Sequence, residues 1–313
     1  MSVLDAIGRT PLVPLRRVAA GLRVPVLAKC EHMNPGGSVK DRIALAIIDD
    51  AEARGALRPG STLVEATAGN TGIGLALVAA VRGYRLVCVM PEKMCVDKVR
   101  ALEAVGAEVV ITPNKPPADP DNFQRVAERL AAANGWFLTD QFRNPANVRA
   151  HQTTTGPEIL EQTGGQIGAF VAGAGTGGTI TGVGRFLRDR GLATRIVLAD
   201  PVGSALAGWA RTGELGADGA YLIEGIGSSV PPDILDRTVI DQAESVTDEE
   251  SFAVCRRLIR EEGLLVGGSA GTAVAAALRV AADRSVDGPV VVLLPDSWDR
   301  YLSRDWLAPL AVR

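Results

Sequence analysis

Apolar and polar positions alternate along this chain in two distinct rhythms. Short, nearly continuous apolar runs occupy residues 24–29, 62–65, 86–90, 108–111, 137–139, 169–172, 196–199 and 290–294. Longer stretches at 41–54, 72–81, 96–105 and 122–134 carry apolar residues every three or four positions. A continuous apolar run of strand length reads as a strand buried on both faces, and the longer repeat reads as an amphipathic helix. Their alternation predicts an α/β fold around a buried, largely parallel sheet. No internal repeat or long linker interrupts the pattern. The Pro-rich segment 113–120 (PNKPPADP) reads as a surface excursion.

A length of 313 residues predicts about two domains. Composition adds one departure from the average. Glycine contributes 35 of the 313 residues, about 11%, where about 7% is usual. Aromatic residues are only 4%, so the core is expected to be mostly Ala, Val, Leu and Ile. The glycines cluster. Loops 34–38 (NPGGS), 67–72 (TAGNTG) and 173–179 (GAGTGGT) follow strand-like runs, and 267–271 (GGSAG) opens a helical pattern. In open α/β sheets ligands bind beyond the carboxyl ends of the strands, so the glycine excess falls where a ligand would sit.

Charge and cysteine usage narrow the function classes. The net charge is −3 with no dominant basic patch, which argues against a nucleic-acid partner. The N-terminus lacks the charged and apolar regions of a signal peptide, and no apolar run reaches about 18 residues, so no membrane partner is expected. Cys30, Cys88, Cys95 and Cys255 have neither metal-site nor redox-motif spacing, so no metal is expected and the chain reads as cytoplasmic.

Each loop has a chemical reading and a plainer one. In 36–42 (GGSVKDR), Ser38 reads as a helix N-cap with Asp41 completing a capping box. Lys40 then falls in the first turn, where the helix dipole opposes a cation and favours a neutral, nucleophilic amine. The plainer reading is a surface lysine. Loop 173–179 matches G-x-G-x-x-G through Gly173, Gly175 and Gly178, a dinucleotide fingerprint with Asp200 as ribose ligand. Alternatively, the amides from Gly175 through Gly177 and Gly178 to Thr179, with the Thr176 and Thr179 hydroxyls, form a phosphate cup at a helix N-terminus. A tight turn is the plainest option. In 67–71, the amides and the Thr67 and Thr71 hydroxyls suit a carboxylate, and Asn70 suits a ring hydroxyl. Ser269 is either an N-cap or a neutral hydroxyl partner for a pyridine nitrogen. Pyridoxal phosphate is one ligand that would use all four loops.

These motifs resemble the cysteine synthase/cystathionine β-synthase family of fold-type II pyridoxal-phosphate enzymes. The resemblance runs from IGRTPL at residue 7 nearly to the C-terminus. It includes NPGGSVKDR, EATAGNTGIGLAL, MPEKM, NPANVRAH, TTGPEI, GAGTGGTITG, EGIG and PDS. The segments VRGY, EGIG, LDRTVID, GLLVGGSAG and 294–306 lean towards cystathionine β-synthase, while TTGPEI is shared with bacterial cysteine synthases. The resemblance implies two three-layer α/β domains with mostly parallel, twisted sheets and the cofactor in the cleft between them. The large cofactor-binding domain would comprise 1–40 plus 146–313, and the smaller substrate-loop domain 41–145.

The family pattern implies Lys40 as the Schiff-base lysine and Asn70 as partner of the cofactor's 3′-oxygen. It places the phosphate against Gly173, Gly175, Thr176, Gly177, Gly178 and Thr179, and the pyridine nitrogen against Ser269. Thr67, Ala68, Gly69, Thr71, Gln141 and Gly225 would contact substrate. The implied chemistry is β-replacement on serine or an O-activated serine by a thiol, through a Lys40 internal aldimine and an aminoacrylate. Homocysteine would give cystathionine, and sulfide would give cysteine. Dehydratase-type β-elimination on the same fold and a non-catalytic nucleotide-binding module are the alternatives.

Three positions depart from the family. Ala68 stands where Ser is usual, Gln152 where Tyr is frequent, and Cys95 where Ser is usual. The first removes a hydroxyl beside the substrate and the second an aromatic wall. The chain starts at the catalytic core and stops soon after Trp306, so haem and adenosylmethionine regulation are not expected. A homodimer is implied by the family.

Overall fold

The computed structural model describes residues 2–67, 69–92, 96–116, 118–216 and 218–307. The chain divides into two compact units, Met1–Ile7 with Asn34–Asn147, and Gly8–Met33 with Val148–Arg313. The segment 34–40, expected in the larger unit, groups with the smaller one.

In chain order, β1 (Leu12–Pro14) and β2 (Val26–Cys30) begin the larger unit. The smaller unit follows as α1 (Lys40–Ala53), β3 (Thr62–Ala66), α2 (Asn70–Arg82), β4 (Arg85–Pro91), α3 (Val96–Ala104), β5 (Glu108–Thr112), α4 (Phe123–Asn134) and β6 (Phe137–Leu138). The helix α5 (Pro145–Ala150) runs through a π turn (His151–Thr155) into α6 (Gly156–Gln162). The larger unit then adds β7 (Ala169–Gly173), α7 (Gly178–Asp189), β8 (Arg195–Pro201), α8 (Leu206–Thr212), β9 (Gln242–Val246), α9 (Asp248–Arg257), α10 (Gly268–Ala282) and β10 (Val290–Leu294).

The smaller unit is a four-stranded parallel sheet in the order β5-β4-β3-β6. Strand β3 is buried at every position, as its apolar run predicts. Its two faces are covered by different helices. Leu63 and Cys88 pack with Ala44 and Ile48 of α1, Leu75 of α2 and Leu102 of α3. Val64 and Val87 pack with Ala127 and Ala131 of α4. Helix α4 starts where the Asn122 side chain accepts from the Gln124 amide at 3.0 Å, and ends at Gly135 in the left-handed region.

The larger unit is a six-stranded sheet in the order β1-β2-β10-β7-β8-β9, antiparallel only between β1 and β2. Val26, Ala28, Val171, Val197 and Val292 face α10, whose Ala273, Val274, Ala276 and Ala277 are buried. The intervening residues Phe170, Ile196, Leu198 and Val291 are equally buried on the opposite face, where α7 packs on β7 and β8. Small residues let α10 lie close to α9: a Cβ on Gly271 would stand 1.9 Å from the Ser251 carbonyl oxygen. That is why GGSAG opens this helix and why so few aromatics are needed in the core. No described helix is long and apolar enough to cross a membrane.

Candidate active site

The expected residues gather into two constellations, one in each unit. In the smaller unit, Lys40 is the first residue of α1 and is half-buried. The Ser38 hydroxyl accepts from the Lys40 amide at 3.2 Å, but Val39 occupies the N-cap position. Asp41 does not complete a capping box with Ser38. Its buried carboxylate reaches back to the Gly36 amide, because a turn closed by Gly37 N–H to the Asn34 carbonyl at 2.7 Å brings that amide over the helix start. A Cβ on Gly36 would lie 2.5 Å from an Asp41 carboxylate oxygen. The glycine pair thus frames the first turn of the lysine's helix.

Thr67 follows β3 and is buried, Gly69 occupies the N-cap position of α2, and Asn70 and Thr71 open that helix. Ala68 and Cys95 lie outside the described residues. The buried Thr71 hydroxyl donates to Gln141 Oε1 at 2.6 Å, and Asn147 Nδ2 donates to the Gln141 carbonyl at 2.9 Å. The expected Thr71 and Gln141 are therefore in direct contact, though 70 residues apart in sequence.

Sequence reasoning missed the group behind them. Glu65 is 1% exposed on β3 and accepts from Gln141 Nε2 at 3.1 Å, the Gln141 amide at 3.3 Å and the Thr139 hydroxyl. Burial pushes its carboxyl up to about 7, against the opposing hydrogen bonds from Thr139 and Gln141 and with added repulsion from Asp140. The only signal was a charged residue inside a run that otherwise reads as a buried strand. Because its native value lies above the ordinary 4.5, its protonated form favours the fold. This contribution is complete below about pH 4.5 and is lost as the pH rises through about 7, a swing of about 3 kcal/mol. Glu65→Gln should flatten this part of the pH dependence, measured as urea unfolding free energy from pH 4.5 to 8. An unchanged slope would show that Glu65 does not titrate as placed.

In the larger unit, Gly173 ends β7 and α7 begins at Gly178, with Thr179 next. Between them run Gly175, the buried Thr176 and Gly177, the last in the left-handed N-cap position at φ +84. A second segment lines this loop. The Gly227 amide donates to the Ala174 carbonyl at 2.8 Å, and a Cβ on Gly175 would stand 2.3 Å from the Gly225 carbonyl. A Cβ on Gly173 would meet Ile226, and one on Gly177 would meet Leu235. GAGTGG, EGIG and LDR are thus mutually fitted. The loop ends at a helix N-terminus, where the Gly178 amide donates to Thr176 Oγ1 at 3.4 Å and the Thr179 hydroxyl lies alongside, an arrangement that suits a phosphate.

His151, also missed, supports this loop. Its buried ring bridges Thr155 Oγ1 at 2.9 Å and Thr179 Oγ1 at 3.2 Å. The π turn that carries it packs against Gly182, where a Cβ would stand 2.4 Å from the Val148 carbonyl. Ser269 is buried as the second residue of α10. Gly267 takes the N-cap position, so Ser269 is not the cap.

One further expectation changes. Asp200 is buried on β8 itself, where its Oδ2 accepts from the Ala207 amide of α8 at 2.7 Å. Burial pushes its carboxyl up to about 6. A buried carboxylate bound to that helix start is not placed as a ribose ligand. Gln152 donates to Asp189, the last residue of α7. Burial also pushes Cys30, Cys88 and Cys255 up to about 12, making them inert packing residues. No group of three or more metal-ligating side chains occurs among the described residues.

These features define an α/β protein with a phosphate loop, a helix-start lysine and a threonine–glutamine cradle. The pyridoxal-phosphate dependent enzyme family matches residues 3–296, and the chain belongs to that family, with the fold-type II architecture and a pyridoxal phosphate cofactor. The chain is 49% identical over 307 residues to cystathionine beta-synthase of Oryctolagus cuniculus, covering 96% of this chain and 55% of that protein. It thus spans little more than half the length of that relative. With cysteine synthase A of Escherichia coli (strain K12) it shares 45% identity over 309 residues, 97% of this chain and 94% of the other. The crystal structure of O-ureido-L-serine synthase superposes with a TM-score of 0.91 at 41% identity, covering 100% of this chain and 96% of that one.

Proposed function

We propose that the chain catalyses β-replacement: a nucleophile displaces the β substituent of serine or an O-activated serine. The carrying observation is the near end-to-end match to cysteine synthase A and O-ureido-L-serine synthase. Together with cystathionine beta-synthase, their names describe amino-acid products that share a serine-derived skeleton and differ in the group on the β-carbon. The residues present suit pyridoxal phosphate: the glycine loop ends at the N-terminus of α7, with the Thr176 and Thr179 hydroxyls beside it, a donor set that matches a phosphate.

In this reading Lys40 holds the cofactor through its aldehyde carbon, Asn70 bonds the 3′-oxygen, and Gly173, Gly175, Thr176, Gly177, Gly178 and Thr179 hold the phosphate. When bound, the cofactor supplies an electron sink for the α-carbon. Thr67, Gly69, Thr71 and Gln141 would orient the substrate through its carboxylate, and Ala68 and Gly225 are proposed as further substrate contacts. With the cofactor bound, Lys40 would be the residue that takes the α-proton as the β substituent leaves and returns a proton to the α-carbon after the nucleophile has added. Ser269 offers the ring nitrogen a neutral hydroxyl rather than a carboxylate, which limits charge accumulation on the ring and favours loss of the β substituent over amino transfer.

Thiols are the preferred nucleophiles in this proposal, with sulfide giving cysteine and homocysteine giving cystathionine. A cytoplasmic homodimer is proposed with them. A screen of serine, O-acetylserine and O-phosphoserine against sulfide, homocysteine and hydroxyurea tests the reading. One donor–acceptor pair should give a β-substituted alanine much faster than pyruvate. Pyruvate released equally fast with and without every acceptor would identify an elimination enzyme instead.

A further inference from the structure

We propose that Glu65 is a positioning residue for the substrate carboxylate, acting by holding the side-chain amide of Gln141 in one orientation. The inference rests on the reading of Gln141 as a substrate ligand, which by itself says nothing of Glu65.

A Gln side chain has an acceptor oxygen and a two-donor nitrogen, nearly identical in shape, so a site must choose which faces the ligand. Here both choices are made by neighbours. The Thr71 hydroxyl donates to Oε1 at 2.6 Å, and Glu65 Oε1 accepts from Nε2 at 3.1 Å. Reversing the amide would set Gln141 Oε1 against the Glu65 carboxyl oxygen, acceptor against acceptor. The observed orientation leaves the second Nε2 hydrogen of Gln141 as a donor for an anionic ligand. Glu65 is anchored in turn. Thr139 binds Oε2 from one side, and the Gln141 backbone amide at 3.3 Å holds the same oxygen from the other.

The latch works in both charge states of the acid. With Glu65 ionised, both oxygens accept. With the proton on Oε2, that oxygen donates to Thr139 Oγ1, whose own hydroxyl then turns to the Val64 carbonyl 3.3 Å away. In either case Oε1 still accepts from Gln141. The titratable groups that act on Glu65 are Cys88, its register partner on β4, and Asp140, which follows β6 by two residues. A carboxyl buried in a strand whose neighbours are Val64 and Ala66 costs folding free energy that an apolar residue would not. Its hydrogen bonds to Thr139 and Gln141 offset part of that cost.

The test measures serine affinity of the holoenzyme by spectral titration, with apoenzyme affinity for pyridoxal phosphate as a control. Glu65→Met should weaken serine binding about tenfold or more while leaving cofactor affinity unchanged. Glu65→Gln keeps an acceptor for Gln141 and should restore most of that loss. The double variant Glu65→Met with Gln141→Ala should bind serine no more weakly than Gln141→Ala alone. If the Met variant does not fold, Glu65→Ala takes its place with the same expectations. Serine binding unchanged in Glu65→Met, or losses that multiply in the double variant, would overturn the positioning role. Serine binding unchanged in Gln141→Ala would overturn the carboxylate reading itself, and the inference with it.

Discussion

Lys40→Ala should abolish attachment of the cofactor and lower turnover by at least ~10³-fold, because the group proposed both to hold the cofactor and to move the α-proton is gone. The fold should survive. Lys40 is half-buried at the first position of α1, where a cation opposes the helix dipole, and Ala is the strongest helix former. Unfolding stability is therefore expected within about 1 kcal/mol of the parent. Borohydride reduction followed by peptide mapping gives a readout independent of activity. The cofactor should be fixed to the peptide carrying Lys40 in the parent and to no peptide in the variant. A variant retaining activity within tenfold of the parent would remove Lys40 from the mechanism.

Gly177→Asp should produce the next largest effect, through two separable causes. Gly177 sits at φ +84, in the left-handed region that costs an L-residue about 1–2 kcal/mol. A Cβ there would approach Leu235 Cβ to 2.6 Å, and such overpacking costs about 1–3 kcal/mol. In a chain of 313 residues the sum corresponds to a Tm drop of about 3–8 °C. The carboxylate would also place negative charge at the helix start that serves the phosphate. Gly177→Ala shares the strain without the charge. Both variants should show a similar loss of Tm, while only the Asp variant should emerge from dialysis almost free of pyridoxal phosphate. Full cofactor retention by Gly177→Asp would reject the phosphate placement.

The legible parts of the molecule share a physical property: their signal is local. The apolar run at 290–294 became β10 with every residue buried, because a continuous run of branched side chains suits a strand covered on both faces. The loop GAGTGGT was legible as the connection between β7 and α7, since glycines at fixed intervals between an apolar run and a helical pattern mark a tight strand-to-helix turn. Helix α4 could be read to within a residue, because its Asn cap and terminal Gly sit next to it in sequence. The short β1 and the polar β9 were not legible. One has three residues, and the other (QAESV) carries a pattern that only pairing with β8 makes into a strand.

The less legible parts of the site depend on residues far apart in the chain. Nothing near Glu65 indicates that Gln141 will bind it, and nothing near Thr179 indicates that His151 will support its hydroxyl. The Ser38–Asp41 pattern was a valid local cap signal, yet Asp41 went to Gly36 because the Gly37 turn delivered a better donor. The same holds for Asp200, whose expected ribose contact gives way to a hydrogen bond from an α8 amide.

By itself, the sequence determined the alternating α/β architecture, the four glycine-rich loops and the family, because periodicity, propensity and ordered motifs are properties of neighbouring residues. Only the tertiary structure decided which polar side chains meet. That choice depends on burial, which makes every unpaired donor or acceptor costly and so selects one partner for each. For this chain the selection joins Thr71, Gln141 and Glu65 into one cradle and His151 with Thr179 into another.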